Sequence, residues 1–402
     1  MKILFSPCHY IYDEVSGGSE FSWAFNIANR IACKNTESVV VTGFTKLESR
    51  KPYKIIELQK KTTNIDTSLK NAIRFNIQYF IETTRQLNYT NFDVVHHVLP
   101  FSIGNTFNLS AVFGFVGRPF VVGPIQNALT YQDTDVNPSN IRNAQSFSKQ
   151  NSILQTIYKS SGFILNILSN ITLKRAKKIV VINEYTRNFL IKKGIKPNNI
   201  SIIPPGIDIR KFEYVPYDKK TGVLEILVVC YLVKRKAVDL IIEAVNYSIK
   251  EKNIILRIVG DGPQKQYLET LVERLGLQSN VFFEGFVENY MIQEYYKKAH
   301  VFVNMSRSEG FATVCLEAMA SGLAIISSKV GGFQDAITDG KNGYLVEQED
   351  TKGLAEKMVY LIDHPELIAS FGKRARQEVE EKYDWDKVII PRYLDLYDEI
   401  LK

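Results

Sequence analysis

Short apolar runs alternate with stretches of helical periodicity along the whole chain. KILFSP at 2–7 reads as a buried strand. A loop with Gly17-Gly18-Ser19-Glu20 follows, then a helical pattern through Phe21, Trp23, Phe25, Ile27, Ala28 and Ile31. SVVVTGF, FDVVHHV and RPFVVGP predict three further strands, the last stopped by Gly123-Pro124. AKKIVVIN predicts a fifth strand, with a helix over Glu184 to Lys193, and SIIPPGID a strand ending in a turn. The layout then begins again. LEILVVCYL, ILRIVGDGP, VFFEGFV, AHVFVNMS, LAIISS and GYLV predict strands. VDLIIEAVNYSI, QKQYLETLVERLGL, YMIQEYYKKA and ATVCLEAMASG predict the helices between them, the last closed by Gly322.

Strands alternating with helices imply parallel sheets covered on both faces. No short repeat is present; the βα layout itself recurs once per half. The expected fold class is α/β, with two Rossmann-like doubly wound domains and a ligand cleft between them at the carboxyl ends of the strands. The boundary falls in the proline- and charge-rich stretch Pro204–Pro216. This gives a first domain over 1–205 and a second over 206–384, with a C-terminal helix in 385–402 packed back on the first.

Composition narrows the class. Of 402 residues, 45% are apolar and 23% charged, as in folded globular proteins, which excludes disorder and low complexity for the bulk of the chain. No apolar run approaches the ~18 residues of a membrane span, and MKILFSPCHY makes a poor signal peptide. The expectation is a cytoplasmic protein. Cys8, Cys33, Cys230 and Cys315 form no CxxC pair and read as reduced, buried thiols.

The net charge of +7 is unevenly divided. Met1 to Pro205 carries 24 basic and 12 acidic residues; the remainder carries 26 and 31. The halves are therefore +12 and −5, so the first half is suited to an anionic partner. No acidic residue lies between Asp135 and Glu184, where Arg142, Lys149, Lys159, Lys174, Arg175, Lys177 and Lys178 are mixed with apolar residues. Such a mixture suits peripheral attachment to an anionic membrane surface, and equally an ordinary helix with a solvated lysine face. With an acidic second half and no recognition motif, nucleic acid is not expected as a partner.

Candidate chemistry concentrates at 306–322, SRSEGFATVCLEAMASG. The string follows an apolar strand and opens a helix. Backbone N–H groups from Gly310, Phe311, Ala312, Thr313 and Val314 would form a cradle for a diphosphate at that helix start. Glu309 and Glu317 would flank it, and a carboxylate accepts both hydrogen bonds of a vicinal diol.

This string resembles the E-x7-E motif of retaining glycosyltransferases of family 4, which have the GT-B fold. Other segments match in the same order. Ile203-Pro-Pro-Gly206-Ile-Asp208 resembles the family's P-N-G-V-D linker, with Pro205 in place of asparagine. Val259-Gly260-Asp261-Gly262-Pro263 resembles its G-D-G-P turn, and Phe283-Glu-Gly285-Phe286-Val287 its F-x-G-F/Y-V strand end. Val330-Gly331-Gly332 through Asp339-Gly340-Lys-Asn342-Gly343-Tyr344-Leu-Val346 resembles its G-G…D-G-x-N-G-x-L-V segment. The resemblance covers nearly all of the second half.

The resemblance implies transfer of a sugar, with retention, from a nucleoside diphosphate sugar, UDP-linked by expectation. Glu309 would contact donor hydroxyls, Glu317 the ribose, and Phe286 and Val287 the base. Gly17 and Gly18 would admit the first-domain loop close to the donor phosphate or the acceptor. The family's G-R-L-x-x-x-K-G segment reads Cys230-Tyr231-Leu232-Val233-Lys234-Arg235-Lys236-Ala237 here. Lys236 falls on the family lysine, but uncharged Tyr231 falls on its arginine. Arg235 or Lys234 would then supply the missing cation for the leaving group. A histidine that many relatives carry after the fourth strand is absent. His97 stands as the candidate for an acceptor hydroxyl, with a packed or surface imidazole as the other reading.

No cofactor or essential metal is implied. Asp133-Thr134-Asp135 reads as a solvated turn, and helix-start amides with Lys236 would do the work of a divalent cation. The expected acceptor is a glycan or polyprenyl-diphosphate-linked glycan in cell-surface polysaccharide assembly. A nucleotide-sugar epimerase and a non-catalytic donor- or glycan-binding subunit are the alternative readings.

Overall fold

The computed structural model describes residues 1–12, 22–34, 36–46, 51–58, 69–98, 107–126, 164, 166–217, 222–249 and 252–402. Gly17, Gly18, the Asp133–Asp135 turn and most of the acid-free stretch lie outside the described residues. The chain forms two compact units. One gathers described residues of Met1–Pro205 with Ile389–Lys402, and the other those of Gly206–Val388.

The first unit holds a parallel sheet in the order β3-β2-β1-β4-β5-β6-β7. Its strands are β1 (Lys2–Tyr12), β2 (Glu37–Lys46), β3 (Lys54–Glu57), β4 (Val94–Val98), β5 (Phe120–Ile125), β6 (Lys178–Val181) and β7 (Ile200–Ile202). Its principal helices are α1 (Ser22–Ala32), α2 (Leu69–Tyr89) and α3 (Glu184–Lys192). β4 and β5 are buried at every position, because helices cover both faces of the sheet. Leu4, Val41, Val95, Val122 and Val181 supply the core from neighbouring strands. β3 and α2 are additions to the elements read from the sequence.

The second unit holds a sheet in the order β10-β9-β8-β11-β12-β13, with every pair parallel. The strands are β8 (Leu224–Val229), β9 (Ile254–Val259), β10 (Val281–Gly285), β11 (Val301–Asn304), β12 (Ala324–Ser328) and β13 (Gly343–Val346). The principal helices are α4 (Val238–Ser248), α5 (Lys265–Leu275), α6 (Ile292–Lys298), α7 (Thr313–Ala320), α8 (Thr351–Asp363) and α9 (Pro365–Lys382). α4 buries Val238, Ile241, Ile242 and Val245, the spacing of a single helix face. The order matters for function. β8 and β11 are neighbours, yet the chain leaves them toward opposite edges of the sheet. Loops after such a pair diverge and leave a crevice at the strands' carboxyl ends.

The chain returns to the first unit at Ile389, four residues beyond the start of the 385–402 segment read from the sequence. Ile207 N donates to Tyr383 O at 2.8 Å and Trp385 N donates to Ile207 O at 3.2 Å, which keeps 383–385 on the second unit. A π-helical turn, Trp385–Ile389, leads into α10 (Ile390–Leu401), which packs within the first unit.

Of the cysteines, Cys8 and Cys315 are buried and Cys230 partly so, whereas Cys33 is exposed; all four are free thiols.

Candidate active site

The loops after β8 and β11 bring opposite charges together. The β8 loop makes a basic turn, Lys234–Lys236, ended by Ala237 in left-handed backbone at φ 50°. The β11 loop carries Ser306 to Glu309. Lys236 Nζ donates to Glu309 Oε2, and Arg235 Nη1 lies 3.2 Å from the same oxygen. Arg235 Nη1 also donates to Ser308 O at 2.7 Å. The Glu309 side chain is 8% exposed and that of Lys236 12%. Burial alone would push the Glu309 carboxyl up, but Lys236 and Arg235 outweigh it and hold the group below its usual value. Two cations on one carboxylate leave a net positive charge at the amino end of α7.

A third basic residue fixes this arrangement. Arg307 N donates to Arg235 O at 2.8 Å, and Arg307 Nη1 to Lys234 O at 2.6 Å. The rest of its guanidinium reaches Glu349 Oε1 at 2.6 Å and Asp239 Oδ2 at 3.3 Å. Arg307 thus joins the basic turn to the β11 loop. Neither of its carboxylate partners is near it in sequence, so no local pattern marked it.

The start of α7 is the second component. The first amides of a helix lack partners within it. Cys315 N already turns back to Ala312 O at 3.0 Å. The Thr313 side-chain oxygen is buried and has no partner among the described residues. The segment before α7 is braced from behind by Gly331 and Gly332. A Cβ on Gly331 would sit 1.8 Å from Glu309 O, and Gly331 has φ +47°. Gly332 N donates to Gly310 O at 3.0 Å.

Glu317 stands about one turn into α7. Tyr296 OH donates to its Oε2 at 2.8 Å. Burial pushes the Glu317 carboxyl up; the Tyr296 hydrogen bond and nearby Lys211 oppose that shift without cancelling it. Tyr296 is another contributor that sequence reading missed.

The remaining residues divide clearly. Tyr231 is 59% exposed beside the basic turn, and Phe286 is 73% exposed just after β10, with Val287 half-buried next to it. Gly260 closes β9, where a Cβ would lie 1.9 Å from Cys230 O. Burial pushes the Cys230 thiol up to about 11, so it stays protonated at neutral pH and is a poor nucleophile. His97 belongs to the first unit and is wholly buried in β4. A sealed ring does not suit contact with an acceptor hydroxyl, so its placement agrees with the packed reading instead. Its neighbour His96 is also buried, with Nε2 2.9 Å from Gly123 O and Nδ1 2.6 Å from Tyr397 OH.

Comparison with known proteins extends this picture. Residues 210–378 match the family model described as Glycosyl transferases group 1, and residues 21–211 match that described as Glycosyltransferase Family 4. The chain is 32% identical over 216 residues to N-acetyl-alpha-D-glucosaminyl L-malate synthase of Bacillus anthracis, covering 52% of this chain and 56% of that one. It is 29% identical over 231 residues to a putative colanic acid biosynthesis glycosyltransferase of Escherichia coli K12, covering 55% and 56%. The chain thus spans little more than half the length of these curated relatives. Among solved structures, Anabaena HepE in complex with UDP aligns with a TM-score of 0.70 at 18% identity, over 99% of this chain and 100% of that one. HepE has also been solved with UDP-glucose. At that identity the likeness shows the fold, two parallel-sheet α/β units of GT-B type. The two family models together span nearly the whole chain, and the chain belongs to the family 4 type of GT-B glycosyltransferases.

Proposed function

We propose that the protein transfers a glycosyl group from a nucleoside diphosphate sugar, with retention of configuration, to a glycan or lipid-linked glycan during cell-surface polysaccharide assembly. The observation that carries this reading is the convergence of Lys236, Arg235 and Glu309 at the amino end of α7. A diphosphate there would meet helix-start amides, the Thr313 hydroxyl and a net positive charge. Arg235 takes the part of the cation that Tyr231 lacks. Lys236 and Arg235 would stabilise negative charge as the diphosphate leaves, an electrostatic contribution worth roughly 10²–10³ in rate per group. Glu309, kept ionised by the same cations, would turn its carboxylate to donor hydroxyls, and Glu317 would accept from the ribose. Attack would come from the face that the nucleotide leaves, with the departing phosphate taking the acceptor's proton. The reading names no enzymic nucleophile and no metal.

A UDP-linked donor is favoured because HepE, of the same fold, holds UDP and UDP-glucose. An anionic or lipid-carried acceptor is favoured by the +12 charge of residues 1–205, and polysaccharide assembly by the likeness to the putative colanic acid biosynthesis glycosyltransferase of E. coli. Screening nucleoside diphosphate sugars for thermal stabilisation identifies the donor. Release of nucleoside diphosphate, with and without candidate acceptors, then tests transfer. If no nucleotide sugar stabilises the protein, the reading fails. Exposed Tyr231 at the family arginine favours a second reading, a donor-binding subunit without turnover. It predicts stabilisation by donor with no release under any acceptor.

A further inference from the structure

Several exposed apolar side chains of the first unit gather around one ring. Phe113 and Phe115 are 61% and 55% exposed, and both pack edge-on against Phe80 of α2 with ring centroids 5.7 Å apart. Ile77 and Ile81 lie one turn apart on α2 beside Phe80, 46% and 59% exposed. Isolated exposed apolar residues need no explanation; a contiguous group of this size marks an interaction surface.

Cations adjoin it. Arg175 Nη1 donates to Ala111 O at 3.1 Å, which places it against the turn that carries Phe113. Arg118, three residues past Phe115, donates to Asn91 Oδ1. With Lys177 they line a surface pocket of about 540 Å³ that holds no carboxylate among the described residues of its walls. Lys178, next along the chain, pairs with Glu399 at 2.8 Å. Phe120 and Lys178 begin β5 and β6, so the pocket lies at the amino ends of the strands, away from the edge where such folds bind nucleotides.

Charge selects the occupant. A second copy packed on this face by a twofold axis would bring two sets of these cations into one interface, with no carboxylate from the described pocket walls to offset them. A soluble anion would fill the pocket and leave the aromatic rings in water. A bilayer surface rich in anionic headgroups satisfies both parts, with rings at the acyl boundary and cations at the phosphates. We infer that this face of the first unit, Phe113 and Phe115 beside the Arg118–Arg175–Lys177 pocket, docks on an anionic lipid surface. The inference goes beyond the proposed function: vesicle binding needs neither donor nor turnover, so the two readings fail separately.

The test is sedimentation of the full chain with phosphatidylcholine vesicles, with and without phosphatidylglycerol, in low and high salt. Binding is expected only with phosphatidylglycerol, falling as salt rises. Phe113→Ser/Phe115→Ser and Arg118→Glu/Arg175→Glu should each weaken it about tenfold or more, with thermal unfolding confirming that both variants fold. Binding unchanged in both variants, or absent from the wild type, overturns the inference. So does full competition by millimolar inorganic phosphate, which would assign the pocket to a soluble anion. A dimer in light scattering that dissociates in Phe113→Ser/Phe115→Ser would assign the face to a second copy.

Discussion

Lys236 and Glu309 are ion-paired across the junction of two loops that leave adjacent parallel strands, β8 and β11. The sheet order makes this meeting possible, since only at the switch of strand order do successive loops part around a crevice. Replacing Lys236 by Ala should lower turnover about 10²–10³-fold, with a smaller effect on folding, because Arg235 stays 3.2 Å from the same carboxylate. Removing Arg235 as well would leave Glu309 buried and uncompensated, at a cost of roughly 3–5 kcal/mol. Urea unfolding of both variants, with initial rates for Lys236→Ala, checks the pair. Equal instability in the single and double variants would show that Arg235 does not share the charge.

Arg307 should act by position. Its guanidinium holds Lys234 O while bound to Glu349 and Asp239. Arg307→Ala should cost about 2 kcal/mol, since charge-assisted hydrogen bonds are lost from a largely buried group. It should also raise the donor KM more than it lowers kcat, because the basic turn loosens while its side chains remain. Arg307→Lys keeps the charge but not the planar fork and should recover less than half. Steady-state kinetics resolve the split; an effect on kcat alone would mean that Arg307 touches the reacting atoms itself.

Much of the second unit was legible because its chemistry is local. Each strand is a short apolar run, and Glu309 to Glu317 is one continuous string that runs from the end of a strand loop into a helix. Arg307 was not legible: its meaning depends on Glu349 and Asp239, which only the fold brings to it. His97 stayed open between two readings for a related reason. A histidine at the end of an apolar run reads the same whether the strand stops at a surface or, as here, lies within a covered sheet. α2 and β3 escaped because α2 is weakly apolar overall and β3 holds only Ile55 and Ile56 as apolar residues, between Lys54 and Glu57. Trp385 delays the return to the first unit by packing on Gly206, a contact between residues far apart in sequence.

Gly331 should be intolerant for two separable reasons. Its φ of +47° disfavours any side chain, and a Cβ would meet Glu309 O at 1.8 Å. Gly340 shares the first reason, at φ +71°, but has open space around it. Gly340→Ala should therefore cost about 1–2 kcal/mol, and Gly331→Ala clearly more, with weakened donor binding because the backbone before α7 must shift. Thermal unfolding of the two variants measures the difference. Equal losses would show that the Glu309 segment yields freely.

His96 should make folding stability depend on pH. Gly123 O can only accept, so Nε2 carries the proton and Nδ1 accepts from Tyr397 OH. Burial pulls the His96 pKa down to about 3, despite the Gly123 carbonyl, which favours the charged form. Against an ordinary value near 6.5, the unfolded chain binds the extra proton between about pH 6.5 and 3. Stability from this group is therefore complete above pH 6.5 and declines as the pH falls, by about 2 kcal/mol at pH 5. Tyr397 lies on α10, so protonation strains the attachment of the C-terminal helix to β4. Tyr397→Phe leaves the ring nitrogen unpaired and should cost about 1–3 kcal/mol at neutral pH. His96→Gln should lower stability at pH 7.5 but flatten its fall toward pH 5. Urea titrations at the two pH values decide the matter: an unchanged slope in His96→Gln would place the acid sensitivity elsewhere.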